Sequence, residues 1–368
     1  METNHSGAKY SSIVGIGEKL RKLSEETGKE YLYLNRGINQ VVNIDLTEII
    51  KKIDFNSNEI QYYPPNSGTV GLKNAINEVY FGNKTSNENI FVTAGGMHAL
   101  SLIIQSLKTD KVITSAFFWG AYYNILQITG KDHGYYENLK ELYDNPERYK
   151  DSVLIICDPN NPVGDKYDDE LLLKTVAKLQ KQNATVIWDS PYRRLFLDES
   201  DKLYQQLLDF DNVIISESFS KSVGLSGQRL GFVHTQNKEF QEELNIRLLY
   251  SGNGTNAFAQ KLVELILTTP EGKKAANDFK KKTVADITAN IDFLKEHNLL
   301  ASEFYEASKP VGIFVIVNKS YEQLLEHNIG SVPMDFFTKR KDFDSDKFAR
   351  ICVSIGHEKF VNFFKKVY

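Results

Sequence analysis

An α/β fold built on a mainly parallel sheet is the architecture this sequence predicts, on three observations. From about residue 89 to 234, short apolar runs alternate with stretches of helical periodicity, the rhythm of strand–helix–strand units. The run Ser152-Val153-Leu154-Ile155-Ile156-Cys157 is apolar nearly throughout, as expected of a strand covered on both faces. Asn89-Ile90-Phe91-Val92-Thr93 leads through Ala94-Gly95-Gly96-Met97 into a helix, so strand and helix meet at a glycine turn. At 368 residues the chain is long enough for a large core and two domains.

Composition narrows the class. Forty-four basic and 48 acidic residues give a formal charge of −4 with no basic stripe, which argues against nucleic acid as a partner. The first thirty residues hold no apolar region of a signal peptide, and no apolar run reaches membrane-spanning length. Cys157 and Cys352 lie in strand-like runs and read as buried free thiols of a reducing compartment. The expectation is a soluble, cytoplasmic protein with no membrane and no metal in its function.

Taken in order, residues 1–30 read as a mobile arm leading into a short helix over 16–26 that carries Leu20 and Leu23. Leu32-Tyr33-Leu34-Asn35 suits a strand broken by Gly37. Tyr62-Tyr63-Pro64-Pro65-Asn66-Ser67-Gly68 is a rigid turn before a helix with Leu72, Ile76 and Tyr80 at helical spacing. In the helix after Gly96, Leu100, Ile103, Ile104 and Leu107 share one face, and His98 reads as a helix residue. Val112-Ile113-Thr114 is the next strand, followed by Phe117-Phe118-Trp119, of which Phe117 reads as plain core. Beyond residue 157 come a turn, Asp158-Pro159-Asn160-Asn161-Pro162-Val163-Gly164, a helix over 168–182 and the strand Thr185-Val186-Ile187-Trp188-Asp189. Val213-Ile214-Ile215 is a buried strand, and Phe232-Val233 ends the core strands. Ser251-Gly252-Asn253-Gly254-Thr255 is a candidate hinge before a long helical region over 256–297. Residues 313–317 and 348–354 suit strands of a second, smaller domain. The expected division is an N-terminal arm with part of the small domain in 1–44, a large domain in 45–252, and a small C-terminal domain with its linking helix in 253–368.

Several positions carry chemistry that a bare scaffold does not need. Lys221 sits just past a buried strand among hydroxyls and glycines, with Arg229 eight residues on. Most lysines are solvated surface residues. This spacing instead suits a carbonyl cofactor with a phosphate tail, the amine forming a Schiff base and the hydroxyls and arginine taking the phosphate. Gly95, Gly96 and Met97 present backbone N–H groups at a helix N-terminus, which favours an anion. Asp189, at the end of a buried strand, is costly unless paired; a helix cap is the plain alternative. Arg350, inside an apolar strand, also needs a partner, and a structural salt bridge is the plain alternative.

These motifs resemble, in order, those of the class I/II aminotransferases, pyridoxal-phosphate enzymes of fold type I. The family's Ser-x-Ser-Lys, then Gly-Leu-x-Gly-x-Arg-x-Gly, is filled by Ser218, Ser220 and Lys221, then Gly224, Leu225, Gly227, Arg229 and Gly231. Residues 158–164 are similar to its Asn-Pro-Asn-Asn-Pro-Thr-Gly, with Asp158 and Val163 as departures, and Asp189 and Tyr192 match its Asp-x-x-Tyr. Gly95-Gly96 matches its Thr-x-Gly-Gly/Ala turn, and Arg350 its late Arg-Ile/Leu-x-x-Ser/Ala pattern.

The resemblance covers roughly residues 35–355. It implies a large domain with a seven-stranded, mainly parallel sheet, a smaller α/β domain built from both termini, and a homodimer with shared active sites. It implies that Lys221 carries pyridoxal 5'-phosphate and shuttles the substrate proton. Asp189 would keep the pyridine nitrogen protonated, and Tyr192 and Asn161 would contact the phenolic oxygen, Asn161 also bordering the substrate. An aromatic would stack on the ring: Trp119, with Phe118 as the alternative. The phosphate would be held by Gly95, Gly96, Met97, Ser218, Ser220 and Arg229, with Tyr63 reaching over from the neighbouring subunit. Gly37 would line the substrate pocket, and Arg350 would grip the α-carboxylate in a bidentate fork.

The implied activity moves an amino group between an α-amino acid and a 2-oxo acid. β-Elimination or cyclisation on the same scaffold shares the carbanion, so the cofactor residues do not separate them. Ser-Phe-Ser-Lys and Val-Ser-Ile-Gly after Arg350 also resemble histidinol-phosphate aminotransferases. A binding protein that had merely kept the fold should have lost Lys221 or Asp189, and both are present. The side chain accepted is not named by these residues; the segments that match least, near 10–40 and 250–255, are where specificity is expected.

Overall fold

A computed structural model describes residues 1–198 and 200–368. Seven strands form the large sheet: β1 (Ile90–Thr93), β2 (Lys111–Ser115), β3 (Asp132–Tyr136), β4 (Val153–Cys157), β5 (Thr185–Asp189), β6 (Val213–Ser218) and β7 (Gly231–His234). Their spatial order is β1-β7-β6-β5-β4-β2-β3, and β7 alone runs against the others. Side chains of a strand alternate between faces, so a sheet covered on both sides needs apolar residues at every position. In β4, Leu154 and Ile156 enter one core while Val153 and Ile155 enter the other; in β6, Val213 and Ile215 face Ile214 in the same way. The unbroken apolar runs of the sequence are this two-sided burial.

Beyond the large sheet, β8 (Phe314–Val317), β9 (Val332–Pro333) and β10 (Ala349–Cys352) make a small antiparallel sheet with β10 in the middle. Leu32–Tyr33 pairs in parallel with Ile329–Gly330, which brings the N-terminal segment into this second unit.

Five helices position the cleft: α1 (Ser12–Thr27), α2 (Gly96–Ser106), α3 (Phe219–Ser222), α4 (Ala257–Thr268) and α5 (Pro270–Glu296). Helix α1 starts a turn earlier than the expected 16–26. Its Ile16 and Leu20 pack with Val332, Met334 and Phe337 of the small unit, while the Lys9 N–H of the preceding arm donates to Asn124 of the large one at 3.0 Å. The helical region expected over 256–297 is two helices. Thr269 caps the second, accepting from the Gly272 N–H at 3.1 Å, and Pro270 opens it, where a missing N–H costs nothing. In α4, Ala259, Leu262, Val263 and Ile266 belong to the large-sheet core, whereas α5 passes from that core at Ala276 to the small one at Phe279, Ile287 and Ile291. Helix α4 thus packs with the large sheet, and α5 spans both cores.

Both cysteines are free and buried. Among the described residues, no helix is long and apolar enough to cross a membrane.

Candidate active site

The parallel strands end in register, Cys157 beside Asp189 and Asp189 beside Ser216. The segments that follow β4, β5 and β6 therefore emerge side by side at the C-terminal edge of the sheet, where open α/β sheets bind ligands. With the small unit they enclose a cleft of about 530 Å³. Lys221, Asp189, Tyr192, Asn161, Gly96, Met97, Trp119, Ser218, Ser220, Arg229, Gly37 and Arg350 all line it.

Lys221 lies on α3, a single turn after β6 whose cap is Ser218, the hydroxyl accepting from the Ser220 N–H at 3.3 Å. Its amine donates to the Gly37 carbonyl. Burial, reinforced by the positive charges of Arg229, Arg36 and Arg350, brings the amine down to about 8. Gly37 is required by close approach: a Cβ there would lie 2.5 Å from the Phe314 ring.

Asp189 is buried, and desolvation pushes its carboxyl up to about 6. It caps no helix. The Tyr122 hydroxyl donates to it at 2.5 Å from 67 residues away in sequence. Asn161 donates to the Tyr192 hydroxyl at 3.1 Å and accepts from Arg350 Nη1 at 3.2 Å.

Arg350, on β10, is only 1% exposed, and Nη2 donates to the Asn35 carbonyl at 2.5 Å. Its guanidinium lies 4.0 Å from the Phe314 ring centre and 4.6 Å from that of Phe337. Nε has no partner, and among the described residues no carboxylate pairs with this cation. The salt-bridge alternative for Arg350 is therefore excluded by the geometry. Burial lowers the guanidinium to about 10, so it is a cation held in place without a counter-charge.

One corner of the cleft gathers anion-binding groups. Gly95 precedes α2 at φ 87°, a conformation suited to glycine, and a Cβ there would stand 2.8 Å from Arg229 Nη2. Arg229 is itself left-handed at φ 52° and donates from Nη1 to the Ser226 carbonyl at 2.8 Å. The Ser218 and Ser220 hydroxyls are 3.0 Å apart. A helix N-terminus, two hydroxyls and a guanidinium thus surround one point, which suits a phosphate.

Of the two candidate stacking aromatics, Trp119 faces the cleft, whereas Phe118 is buried in the core beside His133. Phe117 packs on Phe304 and Phe343 of the small unit, and the Phe118 N–H donates to the Phe337 carbonyl at 2.8 Å, stitching the Trp119 loop across the cleft. Tyr63 is not in the cleft: it is 85% exposed, in a shallow depression with Gly252, Asn253 and Thr255.

Sequence reasoning missed three features. Tyr122, the partner of Asp189, is one; a hydroxyl on the buried face of a helix is the available signal. Asp158, a departure from the resembled motif, is fully buried and accepts from Arg193 Nη1 at 2.8 Å, in a network that includes Asp169 and Asp201. Arg36 lines the cleft, and nothing in its sequence context marks it.

A family model described as aminotransferase class I and II matches residues 30–365. An aspartate aminotransferase of Pyrococcus horikoshii is 27% identical over 283 residues, 72% of this chain and 71% of that protein. A histidinol-phosphate aminotransferase of Staphylococcus aureus is 25% identical over 335 residues, 86% of this chain and 88% of that protein. The solved structure of aspartate aminotransferase from Thermus thermophilus with maleate is 19% identical and covers 100% of both chains at a TM-score of 0.84, a likeness of fold. With the family model spanning nearly the whole length, and the lysine, the aspartate and the anion corner converging on one cleft, this chain belongs to the class I and II aminotransferase family.

Proposed function

We propose that Lys221, Asp189, Asn161, Tyr192 and the anion corner hold pyridoxal phosphate, and that Arg350 receives the α-carboxylate of an amino acid or 2-oxo acid. The protein is a pyridoxal-phosphate-dependent aminotransferase. When bound, the cofactor supplies a carbonyl for the amine and a cationic ring that accepts the electrons released at the substrate Cα.

The residues present fit that group. The corner formed by Gly95, Gly96, Met97, Ser218, Ser220 and Arg229 has the donors that a phosphate needs. Asp189 is the only carboxylate among the described residues lining the cleft, and a pyridinium N–H would keep it ionised against the burial that pushes it up. Asn161 and Tyr192, already hydrogen-bonded to each other, offer donors to a phenolate oxygen. Trp119 supplies the aromatic face. Lys221 would hold the cofactor and, once displaced, move a proton at Cα; an amine lowered to about 8 is partly unprotonated near neutral pH, as a general base must be.

The observation that carries the substrate assignment is Arg350. A buried guanidinium without a carboxylate partner, pinned by Asn161, Asn35 and two aromatic rings, is a site prepared for a carboxylate that arrives from outside. Tyr63, exposed in the single chain, would serve the phosphate of a second copy in a homodimer. The relatives bear the names of two different amino donors, so those names do not select one.

Borohydride reduction of the holoenzyme followed by peptide mapping tests the assignment. The adduct is expected on Lys221, and an adduct on any other lysine would overturn it.

A further inference from the structure

We infer that a cavity behind the Lys221 turn, separate from the cleft, is a second binding site, for a small organic anion with an apolar body.

The cavity measures about 590 Å³, somewhat more than the cleft, and no described residue lines both. That volume is ordinary for a small-molecule site. The short helix α3 separates the two spaces: Lys221 lines the cleft, whereas Ser222 and the following Val223 line the cavity. The remaining wall comes from Val79 and Tyr80 at the end of the helix Val70–Phe81, Ile266 of α4, and Lys273 and Ala276 of α5.

Arg194 is the group around which this cavity is built. It lies on the single turn Arg193–Phe196 and is only 2% exposed. The Val79 carbonyl accepts from Nη2 at 2.8 Å, and the Asp198 carbonyl accepts from Nη1. The rings of Tyr80 and Tyr204 each have their centre 5.0 Å from the guanidinium. Nε has no partner, and among the described residues no carboxylate pairs with this cation. Glu217, the buried carboxyl that feels its charge, is pushed up to about 8 by burial and so stays mostly protonated at neutral pH. A buried guanidinium held only by carbonyls and rings keeps an uncompensated charge. Arg350 is built in the same way.

Ser222 adds a second, independent sign. It is 1% exposed, and its hydroxyl has no hydrogen-bond partner. Buried polar atoms are nearly always hydrogen-bonded, so two orphans on the walls of one cavity point to an occupant that supplies their partners. Lys273 and Lys280 bring further positive charge to the cavity. The one carboxylate among its described lining residues, Asp198, is exposed and accepts from the Ser200 N–H at 2.8 Å. Val79, Val223, Ile266 and Ala276 give the rest of the wall an apolar face. The ligand that fits has an apolar body ending in a carboxylate or phosphate, either of which suits a guanidinium fork.

The experiment titrates benzoate, phenyl phosphate and the neutral benzamide into the holoenzyme by calorimetry. The cleft's own hold on a carboxylate is removed by working in Arg350→Met, to which Arg194→Met and Lys273→Glu are added singly. In Arg350→Met at least one anion should bind about tenfold or more tightly than benzamide, and the anion that does so identifies carboxylate or phosphate as the group held. A charge-assisted contact is worth roughly a tenfold to hundredfold in Kd, so Arg194→Met should weaken the anion by about that factor and leave benzamide unchanged. Lys273→Glu should weaken it as well, by roughly threefold to tenfold, the smaller effect expected of a partly exposed charge. If Arg194→Met does not fold, Lys273→Glu decides alone, because a partly exposed side chain can be exchanged without disturbing the core.

Absence of binding by both anions in Arg350→Met would overturn the inference. So would benzamide binding as tightly as the anions, or anion Kd values that Lys273→Glu leaves unchanged. None of these results touches the assignment of the cleft, which the borohydride adduct decides separately.

Discussion

Arg350 gives the sharpest test, because two accounts of it predict opposite behaviour on removal. A buried ion pair that loses one partner typically costs 3–5 kcal/mol of stability, since the other charge is stranded. Arg350 has no such partner. Its burial is itself unfavourable, lowering the guanidinium from its ordinary range to about 10, a cost on the order of 3 kcal/mol to the charged form. Arg350→Met relieves that cost and keeps an unbranched side chain between Phe314 and Phe337. It gives up the bonds to Asn161 and Asn35, worth roughly 1.5 kcal/mol each as charge-assisted bonds. The two effects nearly cancel, so the urea midpoint should stay within about 1–2 kcal/mol of wild type.

Activity should not survive in the same way. Each charge-assisted bond to an α-carboxylate is worth about 1.5–3 kcal/mol, so losing one or both reduces kcat/KM roughly tenfold to several hundredfold or more. Arg350→Lys should lose activity as well, because an ammonium has no planar fork. Wild type should strongly prefer an amino acid over its decarboxylated amine, and Arg350→Lys should narrow that gap with the visible spectrum of the bound cofactor unchanged. A large stability loss in Arg350→Met, or an unchanged acid-to-amine preference in Arg350→Lys, would refute the reasoning.

Two further predictions concern other parts of the molecule. Tyr63→Phe and Lys221→Ala proteins, each poorly active, should regain activity when mixed and allowed to exchange subunits; a fully active protein that sediments as a monomer at assay concentrations would contradict the shared site. Glu217 is fully buried, and burial raises it from 4.5 to about 8, although the Tyr204 hydroxyl and the Ser218 N–H donate to it. The folded state therefore binds a proton that the unfolded state releases, and this group's contribution to stability falls as pH rises from about 4.5 to 8 and then levels off. Glu217→Gln should remove that fall, gaining on the order of 4–5 kcal/mol over wild type between pH 5 and pH 9 in urea melts of the apoprotein. Parallel pH profiles would show that Glu217 does not titrate there.

Much of the cleft proposed to hold the cofactor is legible in the sequence because its signals are local. Lys221, Ser218, Ser220 and Arg229 lie within twelve residues of one another, and the strand–turn–helix context that places them is written in the same window. The burial pattern of β4 and β6 was equally plain, since a two-sided core leaves an unbroken apolar run. The break at Thr269-Pro270 was also visible as a cap followed by proline, yet the strong periodicity on either side ran the two helices together.

What was not legible depended on partners distant in the chain. Asp158 has its counter-charge at Arg193, and Asp189 has its donor at Tyr122. Arg350 looked as though it should have a carboxylate, and only the fold shows that none is there. Arg36 carries no local mark at all: its place beside the cleft comes from the carbonyls on either side of it, which are held by residues 315 and 184 positions away from Asn35 and Gly37.

The stitch between the Phe118 N–H and the Phe337 carbonyl has a consequence for how such a protein can change over time. The groups proposed to hold the cofactor sit on the ends of the large sheet, and those proposed to meet the substrate, Arg350 and Gly37, come from the small unit and the N-terminal segment joined to it. Insertions or exchanges in the small unit can therefore alter which amino donor is accepted while the machinery around Lys221 stays as it is. Phe337 is the exception, because its ring lies against Arg350 and packs with Val332 and Met334, next to the backbone carbonyl that holds the loop carrying Trp119. A lineage drifting toward a new donor is therefore held at Phe337 by the contact of its ring with Arg350.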